Sequence, residues 1–240
     1  MKTLTKITAL FLLLISTTSC FMDGITGIKG NRNVVSEDRT ISSDFENIKV
    51  QQGINLYITQ DNSTEIKVEA DENIIDLLIT EVQNNELKIY FEKNVYRAKA
   101  RNVFLSTGNI KKIRASSGAS VKSENTIQTN SLDLDASSGS SMKIYVNAEE
   151  VTTEASSGAN INVYGKSTTF SGRASSGSGI DADELESVDA YTKASSGANI
   201  NVNVTGKLTA KASSGGDIDY EGNPTSVNKD TSSGGSVSGS

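Results

Sequence analysis

Histidine and tryptophan are absent from this 240-residue sequence, and proline and cysteine occur once each, at Pro224 and Cys20. Without histidine, serine hydrolysis through an imidazole base is excluded. A lone cysteine closes no disulfide within its own chain, so the fold must hold without bridges. Aromatic residues make up 5% and hydrophobic residues 35%, a thin supply for the core of a compact sphere. The apolar residues are nevertheless evenly spaced, which argues against disorder. Basic charge is also short: the net charge is −6, and −8 without Lys2 and Lys6, which leaves 21 basic against 29 acidic residues. That balance disfavours nucleic acid and anionic membrane surfaces, both of which attract basic patches. No P-loop and no dinucleotide-binding glycine fingerprint stands before a helical pattern.

What is present begins with a leader. Lys2 and Lys6 form a basic region, Ile7 to Ile15 a short apolar core, and Thr17, Thr18 and Ser19 precede Cys20. The apolar run is too short to span a bilayer, which takes about 20 residues. The arrangement resembles a bacterial lipoprotein signal, with Thr17 where leucine is usual. It implies cleavage after residue 19 and a lipid attached to Cys20. Residues 20–40, with Gly24, Gly27 and Gly30 among them, read as a flexible tether.

The second feature is a repeat. Ser-Ser-Gly starts at Ser116, Ser137, Ser156, Ser175, Ser195, Ser213 and Ser232, in steps of 21, 19, 19, 20, 18 and 19 residues. Alanine precedes six copies and Thr231 the last; the third residue after each glycine is apolar, from Val121 to Val237. Within each unit, apolar residues alternate with polar ones, as in Ile200-Asn201-Val202-Asn203-Val204. Period two means strands with one buried face. Nineteen residues at about 3.3 Å each trace a loop of about 60 Å, one coil of a β-solenoid with layers about 4.8 Å apart. The spacing therefore predicts an all-β, single-stranded parallel β-helix over residues 109–240, in coils of about 19–20 residues. Ser-Ser-Gly is its corner, with glycine supplying a positive φ.

Residues 41–108 follow the same phrase less closely. Ile48, Val50, Gly53, Leu56 and Ile58 align with Leu134, Ala136, Gly139, Met142 and Ile144. Ile66, Val68, Asp71 and Ile74 align as a second worn coil, and Leu87 with Ile89 begins a third. Residues 41–108 are thus either divergent coils or a separate β cap, with a short helical insertion between Asp71 and Thr80.

At Gly53-Ile54-Asn55, and in the stretch Ile66–Phe91 that follows, the chain resembles the family described as putative auto-transporter adhesin, head GIN domain. The likeness extends from about Phe45 to the end of the sequence. It implies an exported protein or lipoprotein of a Gram-negative bacterium, a β-helix, and adhesion as its role. It brings no catalytic residues.

Polysaccharide-acting enzymes share the β-helix, and Asp181, Asp183, Glu184, Glu186 and Asp189 cluster as candidate acids, against the reading of a solvated acidic loop. Calcium-binding β-rolls repeat an acidic column, but the fourth residue after each glycine reads Lys122, Lys143, Asn162, Asp181, Asn201, Asp219 and Ser238. Two lysines there oppose a cation, leaving at most a single ion near Asp217 and Asp219. The expectation is a non-enzymatic envelope lipoprotein with no catalytic, cofactor or metal residues. Its lipid at Cys20 would hold it to a membrane, as an outer-membrane lipoprotein facing the periplasm or the surface. It would bind a glycan or an envelope or matrix protein and no nucleic acid. The alternatives are a polysaccharide-acting enzyme and a purely structural envelope protein.

Overall fold

The computed structural model describes residues 27–41 and 44–239, so the leader, Cys20 and the start of the expected tether lie outside the described residues. The N-terminal part runs β1 (Ile28–Lys29), β2 (Val34–Arg39), β3 (Asn47–Val50), β4 (Asn55–Gln60) and β5 (Glu65–Asp71). One turn of 3-10 helix (Ile75–Leu77) leads to β6 (Leu78–Gln83), β7 (Glu86–Phe91), β8 (Val95–Tyr96) and β9 (Arg101–Thr107). Then come β10 (Lys112–Ala115), β11 (Ser120–Ser123), β12 (Ile127–Ala136), β13 (Ser141–Ala155), β14 (Asn160–Ala174) and β15 (Gly179–Ser195). The last five are β16 (Asn199–Val204), β17 (Lys207–Ser213), β18 (Asp217–Glu221), β19 (Ser226–Ser232) and β20 (Ser236–Gly239).

From β10 onward each layer pairs in parallel with the next, and equivalent residues stack in columns. Val121, Met142, Ile161, Ile180, Ile200, Ile218 and Val237 form one such inward column. Burial follows the period-two pattern: Ile161 and Val163 are buried, while Asn160 is exposed. The predicted parallel β-helix is therefore the fold. A small-residue column, Ala115 to Ala212, runs inside the Ser-Ser-Gly corner. Its N-terminal members are larger, Ile89 and Val50, so the core narrows after the first layers. The neighbouring column narrows too, and Phe170 fills the space beside Gly172, where an added Cβ would lie 2.9 Å from the ring.

Residues 41–108 combine both expectations. β3 and β4 form a true layer: Ile48 stacks on Ile113 and through it on Leu134, and Leu56 stacks on Val121. β7 and β9 form another, with Leu87 on Ile48, Ile89 on Val50 and Val103 on Leu56. The order along the axis differs from the order along the chain. The chain lays down β3 and β4, leaves, returns as β7 and β9 on their outer side, then passes back to β10 on their inner side. The excursion between them is a cap. β5 runs antiparallel to β9, β2 antiparallel to β5, and β6 antiparallel to β7. Ile66, Val68 and Ile74 are buried as expected, but in this cap and not in a second coil. The expected helical insertion is the single turn at Ile75–Leu77.

The tether also ends earlier than composition suggested. Residues 28–39 hold β1, paired with β8, and β2, the outer strand of the cap. What fixes them is Asp71, a fully buried carboxylate expected as a coil position. Its Oδ2 accepts the Arg32 N–H at 2.7 Å, and its Oδ1 accepts the N–H groups of Lys99 (2.9 Å) and Ala100 (3.0 Å). Burial raises its pKa, but the three amide hydrogen bonds and the Arg32 charge outweigh this and hold it below the usual carboxylate range. Gly30 leaves the room: a Cβ there would lie 2.2 Å from Asp71 Oδ2. A glycine read as flexibility is here a close approach.

Candidate functional site

The repeated corner is built the same way in every layer. In Ser156-Ser157-Gly158-Ala159, the Ala159 N–H donates to the Ser156 carbonyl at 3.2 Å, and both central residues have positive φ. Two left-handed residues closed by that bond have the form of a type I′ turn. All seven second serines, Ser117 to Ser233, have φ between 50° and 55°, and the glycines after them between 69° and 75°. A left-handed non-glycine residue costs about 1–2 kcal/mol. The conformation has a compensating use, because it aims the corner's backbone along the axis. Gly158 N–H donates to the Ser176 carbonyl at 3.2 Å, and the same bond recurs from Gly118 to Ser138 through Gly215 to Ser233. Gly53 joins the ladder by donating to Ser117 at 3.0 Å, and Gln52 is left-handed as well, so the Gly53-Ile54-Asn55 motif marks one more corner of this kind.

The two serines of a corner are not equivalent. The second, as at Ser157, is exposed, while the first, as at Ser156, is half-buried. The second serines therefore form the outward row of the corner. Behind them lies a buried small residue, and where it is serine its hydroxyl is fully used. Ser140 Oγ accepts the Ser137 N–H (3.0 Å) and donates to the Ala115 carbonyl (2.9 Å).

Beside the first serines runs a shallow groove of about 310 Å³, floored by Ala155 and Ala174 and edged by Glu154, Arg173 and Lys193. A related hollow of about 230 Å³ touches Lys49, Gln51 and Lys88, which hold the same coil positions in the first layers. A larger hollow of about 560 Å³ lies against the cap, next to Tyr57, Phe104 and Arg39. Tyr57 and Phe104 stack on each other, centroids 5.0 Å apart, so one face of each ring serves the ladder.

The acidic stretch is a bulge. Between β14 and β15, and again between β15 and β16, the register shifts around Asp183–Leu185, absorbing the longer step of that coil. Leu185 turns into the core and Glu184 out to solvent. Glu186 pairs with Lys166 at 3.0 Å, and Asp189 Oδ1 accepts the Lys207 N–H at 2.7 Å. Burial raises the pKa of Asp181, and the adjoining Asp183 raises it further through charge and a hydrogen bond. For calcium, Asp219 Oδ1 accepts the Ser238 hydroxyl at 2.7 Å, and Lys122 stacks on Lys143 in that column as read from the sequence. Among the described residues no group of three or more Asp, Glu, His or Cys is placed to hold a metal ion.

Comparison with known proteins agrees with this architecture. A structure from Bacteroides fragilis, named as a putative adhesin, superposes with a TM-score of 0.82 at 19% identity, covering 89% of this chain and all of its own. A putative lipid binding protein from Parabacteroides distasonis gives 0.72 at 20% identity, and a putative adhesin from Parabacteroides merdae 0.70 at 20%. Each covers 89% of this chain, over 99% and 98% of their own lengths respectively. No curated protein matches. The family described as putative auto-transporter adhesin, head GIN domain, matches residues 44–224, from the start of the first layer to just past β18, and the chain belongs to that family.

Proposed function

We propose that the protein is a non-enzymatic adhesin of the cell envelope, held to a membrane by a lipid on Cys20 and working through the repeated corner face of its solenoid. The observation that carries this reading is the corner itself. Identical turns, joined by an unbroken backbone ladder, set exposed serines and a groove in register along one rigid face. Such a face offers many weak, equivalent contacts, which together give avidity without one deep pocket. Membership of an adhesin family supports an exported or surface protein. The partner is a glycan or a matrix or envelope protein on an opposing surface, and nucleic acid is not a partner.

Two measurements test this. Cells lacking the protein should adhere less to glycan- or matrix-coated surfaces, and the full chain should restore adherence; unchanged adherence overturns the reading. Metabolic labelling with a fatty-acid analogue should mark the wild type, and Cys20→Ser should lose the label and release the protein. Equal labelling of the variant removes the anchor from the account.

A further inference from the structure

One outward column next to the groove carries charge in an uneven order: Lys88, Lys49, Arg114, Asp135, Glu154, Arg173, Lys193, Lys211 and Asp230. Directly opposed like charges on neighbouring strands are destabilising, and opposite charges are favoured. Much of the molecule obeys that rule: Lys112 faces Asp133 at 3.6 Å, Lys166 faces Glu186, and Arg173 reaches Glu154 at 3.2 Å. Arg114 is likewise met by Glu86. Two runs of cations depart from it, Lys88-Lys49-Arg114 and Arg173-Lys193-Lys211, the second bounded by Glu154 beside Arg173 and by Asp230 in register with Lys211. Lys193 has a cation in register on both sides, and among the described residues neither it nor Lys211 has a carboxylate within ion-pair distance.

The columns flanking this basic run are hydroxyls. On one side stand Ser171, Tyr191 and Thr209, and on the other Ser175, Ser195 and Ser213, all half-buried. Three adjacent layers thus present cations between two rows of hydroxyl groups; Arg173 and Lys193 line the groove, with Asp135 and Glu154 at its other end, and Lys211 continues the column in the next layer. Lys193, stacked between two cations and with no carboxylate at ion-pair distance among the described residues, costs stability and returns none within the fold.

We infer that the groove end at Arg173 and Lys193, continued by Lys211 in the next layer, binds a linear polyanionic glycan, one carrying carboxylate or sulfate groups on its sugar units. This rests on the adhesin reading and names its ligand. The layer spacing of about 4.8 Å is close to the length of one sugar unit in an extended glycan, so successive acidic groups meet successive cations. The flanking hydroxyls match a ligand rich in hydroxyl groups. A nucleic acid fits less well, because the Tyr191 ring, on which a base would stack, is already covered by Arg173 at 5.9 Å.

The test uses the purified full chain with polygalacturonate, dextran sulfate and neutral dextran as probes, at several salt concentrations. Wild type should bind at least one polyanion and not dextran, with affinity falling as salt rises. The pair Lys193→Ser with Lys211→Ser should weaken binding about tenfold while thermal stability is kept or rises. The pair Lys122→Ser with Lys143→Ser, an equal loss of charge from another column, should leave affinity unchanged. No polyanion binding by wild type, equal weakening by both pairs, or equal affinity for oligonucleotides or anionic vesicles would overturn the inference. Adherence that survives in cells carrying Lys193→Ser with Lys211→Ser also overturns it and leaves the adhesin reading standing. Adherence that survives loss of the whole protein overturns that reading itself.

Discussion

The first layers and the Ser-Ser-Gly layers solve one problem with different means. Both stack parallel strands, and the β3–β4 layer turns at a corner with two left-handed residues as the later layers do. The first layers line that corner with Ile89 and Val50, close their end with antiparallel strands, and fix the incoming chain on a buried carboxylate. The later layers line it with alanine and rely on repetition. Individual character is concentrated where the stack must start, because a terminal layer has no neighbour to bury its edge. Interior layers need only resemble one another, which leaves their outer face free to carry charge and hydroxyl patterns.

The largest effect expected on this contrast comes from the interior column. Ile161→Asp places an unpaired carboxylate between Met142 and Ile180 and should cost several kcal/mol, seen as a large drop in melting temperature. Asn160→Asp, on the exposed side of the same strand, should be nearly silent; equal losses would invert the inside and outside faces. Next comes the cap. Asp71→Asn keeps the shape but turns an amide N–H toward backbone donors, a cost of about 1–3 kcal/mol at neutral pH. Because the folded pKa of Asp71 is lowered, its contribution is complete above the ordinary carboxylate value of about 3.9 and fades as pH falls through the lower folded value. The gap in stability between wild type and Asp71→Asn should therefore close in acid; a gap independent of pH would deny the carboxylate its role.

The smallest effect is at the corner. Gly158→Ala meets no atom within 4 Å but must hold a φ of +71°, so it should cost about 1 kcal/mol from backbone strain alone. Ser157→Asn, which tolerates that region better, should be neutral or slightly stabilising. A strong loss from Ser157→Asn would mean that the hydroxyl itself is needed for folding.

Much of this was legible in the sequence. The column from Val121 to Val237, the alanine lining and the kinship of Gly53 with the later corners follow from period and spacing alone. The doubling back of the chain does not. Ile48 and Leu87 occupy equivalent positions, and equivalence says that two layers stack without saying which lies outside. Direction is equally silent, since Ile66 and Val68 alternate in the same way in a parallel or an antiparallel strand. The buried role of Asp71 was invisible because its partners, Arg32, Lys99 and Ala100, lie far away in the sequence. The basic run did leave a signal, an Arg or Lys before the alanine of three successive corners at Arg173, Lys193 and Lys211. It becomes a patch only when the copies are laid over one another.

The central claim is that the regular layers bind and the first layers only scaffold them. It is tested most directly by removing residues 157–195, the 39 residues of two steps (19 and 20), so that Ser156 joins Ser196 in register. The account predicts a shortened protein that still folds cooperatively, with its cap and remaining corners intact, and cells that adhere far less than with the full chain. A shortened, folded protein that supports full adherence would contradict it, and would move the function to the cap and the hollow beside Tyr57 and Phe104.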